Sequence, residues 1–145
     1  NVALLYKQLG DYNAALDNNL KAIKINEMVL DSLHPNLAQS YNNLSVLYMS
    51  LSNLEQSLFY LKKAHAIKLA VYDSMHPEIA LTYGNYGKLY EYFGDYVKSL
   101  EYQQKALRIN EAKLASDHPN LITTYYNIRV LTKSRQIKKG RELAL

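Results

Sequence analysis

Residues 83–109 read YGNYGKLYEYFGDYVKSLEYQQKALRI, and residues 41–67, lying 42 positions upstream, read YNNLSVLYMSLSNLEQSLFYLKKAHAI. About a third of the positions in 36–77 are identical to those in 78–119, among them Tyr41/Tyr83, Asn43/Asn85, Leu47/Leu89, Tyr48/Tyr90, Leu58/Leu100 and Ala64/Ala106. The 3 prolines each follow a histidine, at His34-Pro35, His76-Pro77 and His118-Pro119, with the same spacing of 42. Self-similarity at a fixed period marks one structural unit copied along the chain. Asn1, Leu5, Tyr6, Leu16 and Ala22 fall in phase upstream, and Asn127 and Leu131 downstream. The expected organisation is a single array with a partial repeat at 1–35, complete repeats at 36–77 and 78–119, and a partial or capping repeat at 120–145.

The hydrophobic period inside each unit is helical. Tyr41, Leu44, Ser45 and Tyr48 step by i, i+3, i+4 and i+7, as do Tyr83, Tyr86, Gly87 and Tyr90, which places each set on one helix face. A break is expected at Leu51-Ser52-Asn53, at Phe93-Gly94-Asp95 and at Leu9-Gly10-Asp11, where glycine supplies the left-handed residue that closes a helix. A second helix carries Leu54, Leu58, Leu61, Ala64 and Ile67 to about Val71, and proline ends it by disfavouring helix in the residue before. No stretch alternates as a strand does, so the fold class is all-α and each unit is a helical hairpin. A hairpin this small buries its apolar stripe only by stacking on neighbours. Leu47 and Leu89 are expected to be equally important packing residues.

These residues resemble the tetratricopeptide (TPR) family. The resemblance rests on the aromatic-x-x-Leu/Tyr-small-x-Leu-Tyr helix, the Gly-Asp-Tyr turn, the Lys-Ala-Ile/Leu-x-Ile stretch and the His-Pro boundary, and the 42-residue unit is similar to the kinesin light chain subgroup. It implies a right-handed α-solenoid whose first helices line a concave groove for peptides. Where that subgroup usually has glycine after the second helix this chain has Asp31, Asp73 and Ala115; alanine tolerates the left-handed region poorly, so a different shape is expected after Leu114. The fourth unit departs further, with Arg129 at the small position, Thr132 in place of tyrosine and RQIKKG in place of the Gly-Asp-Tyr turn.

Composition narrows the chemistry. The absence of cysteine removes disulfides, thiol catalysis and Cys-type zinc sites. No apolar run approaches the roughly 18 residues of a membrane span, and the opening NVALLYKQLG is not a signal segment. A soluble, cytoplasmic piece of a longer protein is expected. The net charge of +4 is local: residues 129–145 hold six basic residues and one acid, whereas the rest holds eleven basic and twelve acidic ones. A near-neutral body argues against a surface that follows a phosphate backbone, which leaves nucleic-acid contact through the basic end as the least favoured reading.

No HExxH, glycine-rich phosphate loop or Ser-His-Asp arrangement occurs, so no catalytic residue and no cofactor are assigned. His34, His76 and His118 recur one repeat apart, too far for two copies to share an ion, and are read as capping or packing residues rather than as a metal site. Most of the 14 tyrosines are at in-phase positions, and Tyr6, Tyr41, Tyr48, Tyr83 and Tyr90 lie on the inward stripe; Tyr92 and Tyr126 fall beside it and are expected to be exposed in the groove.

The informative constellation is asparagine. Asn1, Asn43, Asn85 and Asn127 precede the packing position in every unit, and one helical step turns them about 100° from the core stripe, onto the face a TPR array shows to its groove. A primary amide both donates and accepts, and so can pair with a ligand's main chain whatever side chains it carries. Inter-helix hydrogen bonding is the alternative role. Around these amides lie Leu4 and Gln8, Val46 and Ser50, Lys88 and Tyr92, Val130 and Ser134, with Lys7, Met49, Glu91 and Lys133 nearby. This mixed lining suits a peptide with some acidic and some apolar side chains. The expected function is a non-enzymatic scaffold that holds an extended segment of a protein partner in the groove, with no membrane contact. A self-associating spacer array, stacked end to end with no groove ligand, is the alternative.

Overall fold

The computed structural model describes the backbone of residues 2–143 and the side chains of 10–142. Six helices follow one another, α1 (Val2–Val29), α2 (Pro35–Ser50), α3 (Leu54–Val71), α4 (Pro77–Tyr92), α5 (Tyr96–Lys113) and α6 (Pro119–Leu143), and no strand occurs among the described residues. They form two compact units, 1–71 and 72–145. In the first, α2 packs against both α1 and α3; in the second, α5 packs against both α4 and α6.

The boundaries follow from the caps. His34 is extended (φ −68°, ψ 131°), as a residue before proline must be, and its Nδ1 accepts the backbone N–H of Asn36 at 3.1 Å. His76 does the same for Glu78 at 3.1 Å and His118 for Asn120 at 3.2 Å, so the boundary histidines are N-caps. Proline then occupies the first helical position, where a missing N–H costs nothing. The α2–α3 and α4–α5 turns use the left-handed region at Ser52 (φ 59°) and Gly94 (φ 72°). Asn53 and Asp95 cap the following helices by accepting the N–H groups of Gln56 and Lys98 at 3.2 and 3.1 Å.

Two expectations are corrected. The helix does not break at Leu9-Gly10-Asp11: α1 runs through it, and a glycine inside a helix costs only about 1 kcal/mol. RQIKKG, which stands in place of the Gly-Asp-Tyr turn, continues α6, as its Arg, Gln and Lys residues favour. The boundary after Leu114 keeps the shape of the others, since none of Asp31, Asp73 and Ala115 has positive φ and the N–H of the capping histidine reaches the carbonyl three residues back at 2.9 Å in all three. Alanine therefore carries no strain there.

Packing repeats with the sequence. The first core joins Ile23, Leu37, Ala38, Tyr41, Leu44, Ala64 and Ile67; the second joins Ile79, Ala80, Ala106 and Ile109. Leu89 is fully buried whereas Leu47 is only half-buried, so the two are not equivalent. The small position holds the hairpins close: Ser45 Oγ donates to the Ser57 carbonyl at 2.8 Å, and Ser99 Oγ to the Gly87 carbonyl at 2.7 Å. Tyrosines fill the remaining space as ring stacks. Tyr60 lies parallel to Tyr48 at 5.6 Å, and Tyr102 parallel to Tyr90 at 5.5 Å and to Tyr86 at 4.8 Å. Burial holds the Tyr86 hydroxyl well above the ordinary tyrosine range. Lys63 and Lys105 sit over the Tyr60 and Tyr102 rings at 6.0 and 4.9 Å.

Candidate functional site

In the second unit α4 and α6 flank a cleft of about 310 Å³ whose floor is α5. Asn85, Lys88 and Glu91 reach it from α4, Gln103 and Asn110 from α5 and Asn127 from α6. Spacings of three, four and seven residues put side chains on one helix face, which is why the in-phase asparagines share it. Gly84 and Ala80 keep the α4 wall low. Lys88 and Glu91 supply opposite charges at one rim, leaving the floor uncharged.

Asn85, Asn127, Lys88 and Glu91, singled out in the sequence, are thus brought together. Tyr92 is 58% exposed and lines an adjoining cleft with Lys88, Glu91 and Tyr96. Tyr126 (66% exposed), Val130 and Lys133 are exposed on α6 but do not line the 310 Å³ cleft. In the first unit Asn43 and Val46 are exposed on α2, and Asn43 Oδ1 accepts from Gln39 Nε2 at 2.9 Å. Met49 is buried, 5% exposed, and belongs to the core rather than to a lining. Asn1, and the side chains of Leu4, Leu5, Tyr6, Lys7 and Gln8, lie outside the described residues.

The sequence reading missed the floor. Gln103 is 3% exposed and Asn110 6% exposed, yet both line the cleft. Gln103 Nε2 makes one long contact, 3.4 Å, to the Gly84 carbonyl; Asn110 makes no side-chain hydrogen bond among the described residues. Gly87 makes room for Gln103, since a Cβ there would fall 2.6 Å from Nε2. The available signal was comparative: Gln103 stands in phase with the buried Leu61 and breaks an otherwise apolar stripe.

The basic end has its own contacts. Lys138 Nζ donates to the Gly94 carbonyl at 3.2 Å, and Arg135 and Lys139 lie beside it along the α4–α5 turn. The backbone N–H of Lys98, with its ammonium group 3.3 Å away, holds the Asp95 carboxyl below the usual carboxylate range. Among the described residues no cluster of His, Asp or Glu could hold a metal ion, and no helix is long and apolar enough to cross a membrane.

The tetratricopeptide repeat family profile matches residues 1–70 and 71–128. The chain belongs to that family. No curated protein sequence matches it. The fold of this TPR chain is similar to the crystal structure of BtubC (BKLC) from P. vanneervenii, with a TM-score of 0.81, 21% identity, and coverage of 99% of this chain and 57% of that one. It is also similar to a crystal structure described as kinesin light chain nearly identical TPR-like repeats from Podosopora anserina, with a TM-score of 0.70, 20% identity, and coverage of 96% of this chain and 66% of that one. This TPR chain therefore spans less than two thirds of the length of either structure. Its fold is an all-α solenoid.

Proposed function

We propose that this TPR chain is a non-catalytic scaffold of the cytoplasm that binds an extended peptide segment of a protein partner in the α4–α6 cleft. The observation that carries the reading is that Asn85 and Asn127, 42 residues apart, open onto one polar cleft. Their amides suit the alternating donors and acceptors of an extended main chain. Tyr92, Tyr126, Val130 and Lys133 are assigned to selectivity along the rest of the segment.

Each lost amide contact should weaken binding by roughly 0.5–1.5 kcal/mol. A partner peptide isolated by pull-down, titrated by fluorescence anisotropy, should bind the Asn85→Ala, Asn127→Ala double variant about fivefold or more weakly, with the helical circular dichroism unchanged. Undiminished binding by that folded variant would place the site elsewhere. Self-association is the second reading, favoured by the exposed Met28 and Val29 on α1 and by Ile122 and Tyr126 on α6. Light scattering over a concentration series separates the two, because a filled groove leaves the mass of the chain constant and stacking raises it.

A further inference from the structure

We propose that the floor of the α4–α6 cleft is a side-chain subsite, in which Gln103 and Asn110 select an uncharged hydrogen-bonding residue (Asn, Gln, Ser or Thr) of the bound segment. The inference rests on the groove reading above and adds which side chain enters it. Asn110 is 94% buried by its 6% exposure, lines the cleft, and has no side-chain hydrogen bond among the described residues. Such an amide has no protein partner, and the little surface it keeps opens on the cleft, where a ligand group able to donate and accept would take the place of water. Gln103, seven residues earlier on the same helix and about two turns away, has only the long contact to the Gly84 carbonyl and keeps hydrogen-bonding capacity to spare.

The lining sets the selectivity. Thr124, also nearly buried, sends its hydroxyl to the Asn120 carbonyl at 2.7 Å, so the floor around the two amides carries no charge. A carboxylate or ammonium placed there would be desolvated without a counter-ion, while Lys88 and Glu91 at the rim offset each other. An apolar side chain would leave the Asn110 amide buried and unpaired, and sites built to hydrogen-bond reject analogues that cannot. The arrangement is particular to this hairpin. In the α2–α3 hairpin the residues in phase with Gly87, Gln103 and Asn110 are Ser45, Leu61 and Lys68, so the same cleft chemistry is not repeated there. Gly87 belongs to the device, because a side chain at that position would collide with Gln103.

The test is selection of binders from a random-peptide phage library against the whole chain. Cleft binders are recognised by shifts of the Asn85 and Asn127 side-chain resonances, and titrations are repeated with Asn110→Leu and with Gln103→Leu, the latter copying Leu61 of the other hairpin. The expected result is one peptide position restricted to Asn, Gln, Ser or Thr, where Asp, Lys or Leu weakens binding by about tenfold or more. That preference should vanish in Asn110→Leu and diminish in Gln103→Leu. Asn110→Leu should melt at the same temperature as the parent chain or higher, since an amide kept for a ligand does not hold the fold. A clear fall in its melting temperature would assign the amide to folding and overturn the proposal. Cleft binders with no restricted position, or with the restriction intact in both variants, would overturn it and leave the groove reading standing. Binders whose shifts avoid Asn85 and Asn127 altogether would remove both.

Discussion

Replacement of Tyr102 by leucine separates ring stacking from simple burial. Tyr102 is half-buried on α5 and meets Tyr86 at 4.8 Å and 20°, Tyr90 at 5.5 Å and 4°, and Tyr83 at 6.0 Å and 40°, with Lys105 Nζ 4.9 Å from its ring centre. Leucine keeps much of the apolar contact and removes all four ring interactions. Aromatic pairs contribute about 0.5–1.5 kcal/mol beyond burial and an exposed cation–π contact about 0.5. Because this stack is half open to water the lower values apply, and the loss is roughly 2 kcal/mol, or a fall of about 4–8 °C in melting temperature for a chain this size. Urea unfolding followed by far-UV circular dichroism measures it, with near-UV dichroism reporting the tyrosines. Repeat proteins unfold in sections, so the α4–α6 unit should lose its signal first. Tyr92→Leu, at a 58% exposed position, is the control and should change stability by no more than about 0.5 kcal/mol. A Tyr102→Leu variant as stable as that control would refute the claim that the tyrosine stacks form part of the core.

Leu89→Ala should cost about 2–5 kcal/mol, the range for emptying a fully buried leucine site, and Leu47→Ala less because its side chain is only partly buried; paired urea titrations would show the difference, and equal losses would contradict the burial pattern. Asp95→Asn should lower stability slightly near pH 7, because asparagine keeps the cap, as Asn53 does for α3, but lacks the carboxylate's charge. The Asp95 carboxyl is depressed in the folded chain, first by the Lys98 backbone N–H, so its contribution is full above the unfolded carboxylate value of about 3.9 and is lost as pH falls through and below it. Urea midpoints should therefore fall less steeply between about pH 5 and pH 3 for the asparagine variant than for the parent chain; an identical fall would remove Asp95 from the acid response.

The hairpins were legible because their signals are local. His-Pro punctuation, a 42-residue period and tyrosines at helical spacing each act within a few turns of chain, and the structure returns them as N-caps, repeated hairpins and ring stacks at the same residues. Half of the candidate site was legible in the same way, since Asn85 and Asn127 are set by phase along their own helices.

What the tertiary structure decided depends on surface that a neighbouring helix does or does not cover. Gly10 and Gly94 look alike in sequence, yet only Gly94 takes positive φ, because α5 packs back along α4 whereas residues 2–9 continue α1. Met49 occupies a groove-facing phase but is buried, and Tyr126 is exposed without reaching the cleft. Gln103 fits at the cleft floor because Gly87 on α4 leaves it room. Sequence period fixes the angle at which a side chain leaves its own helix; whether that direction meets core, water or a cleft is set by the helices packed around it, and no local signal carries that information.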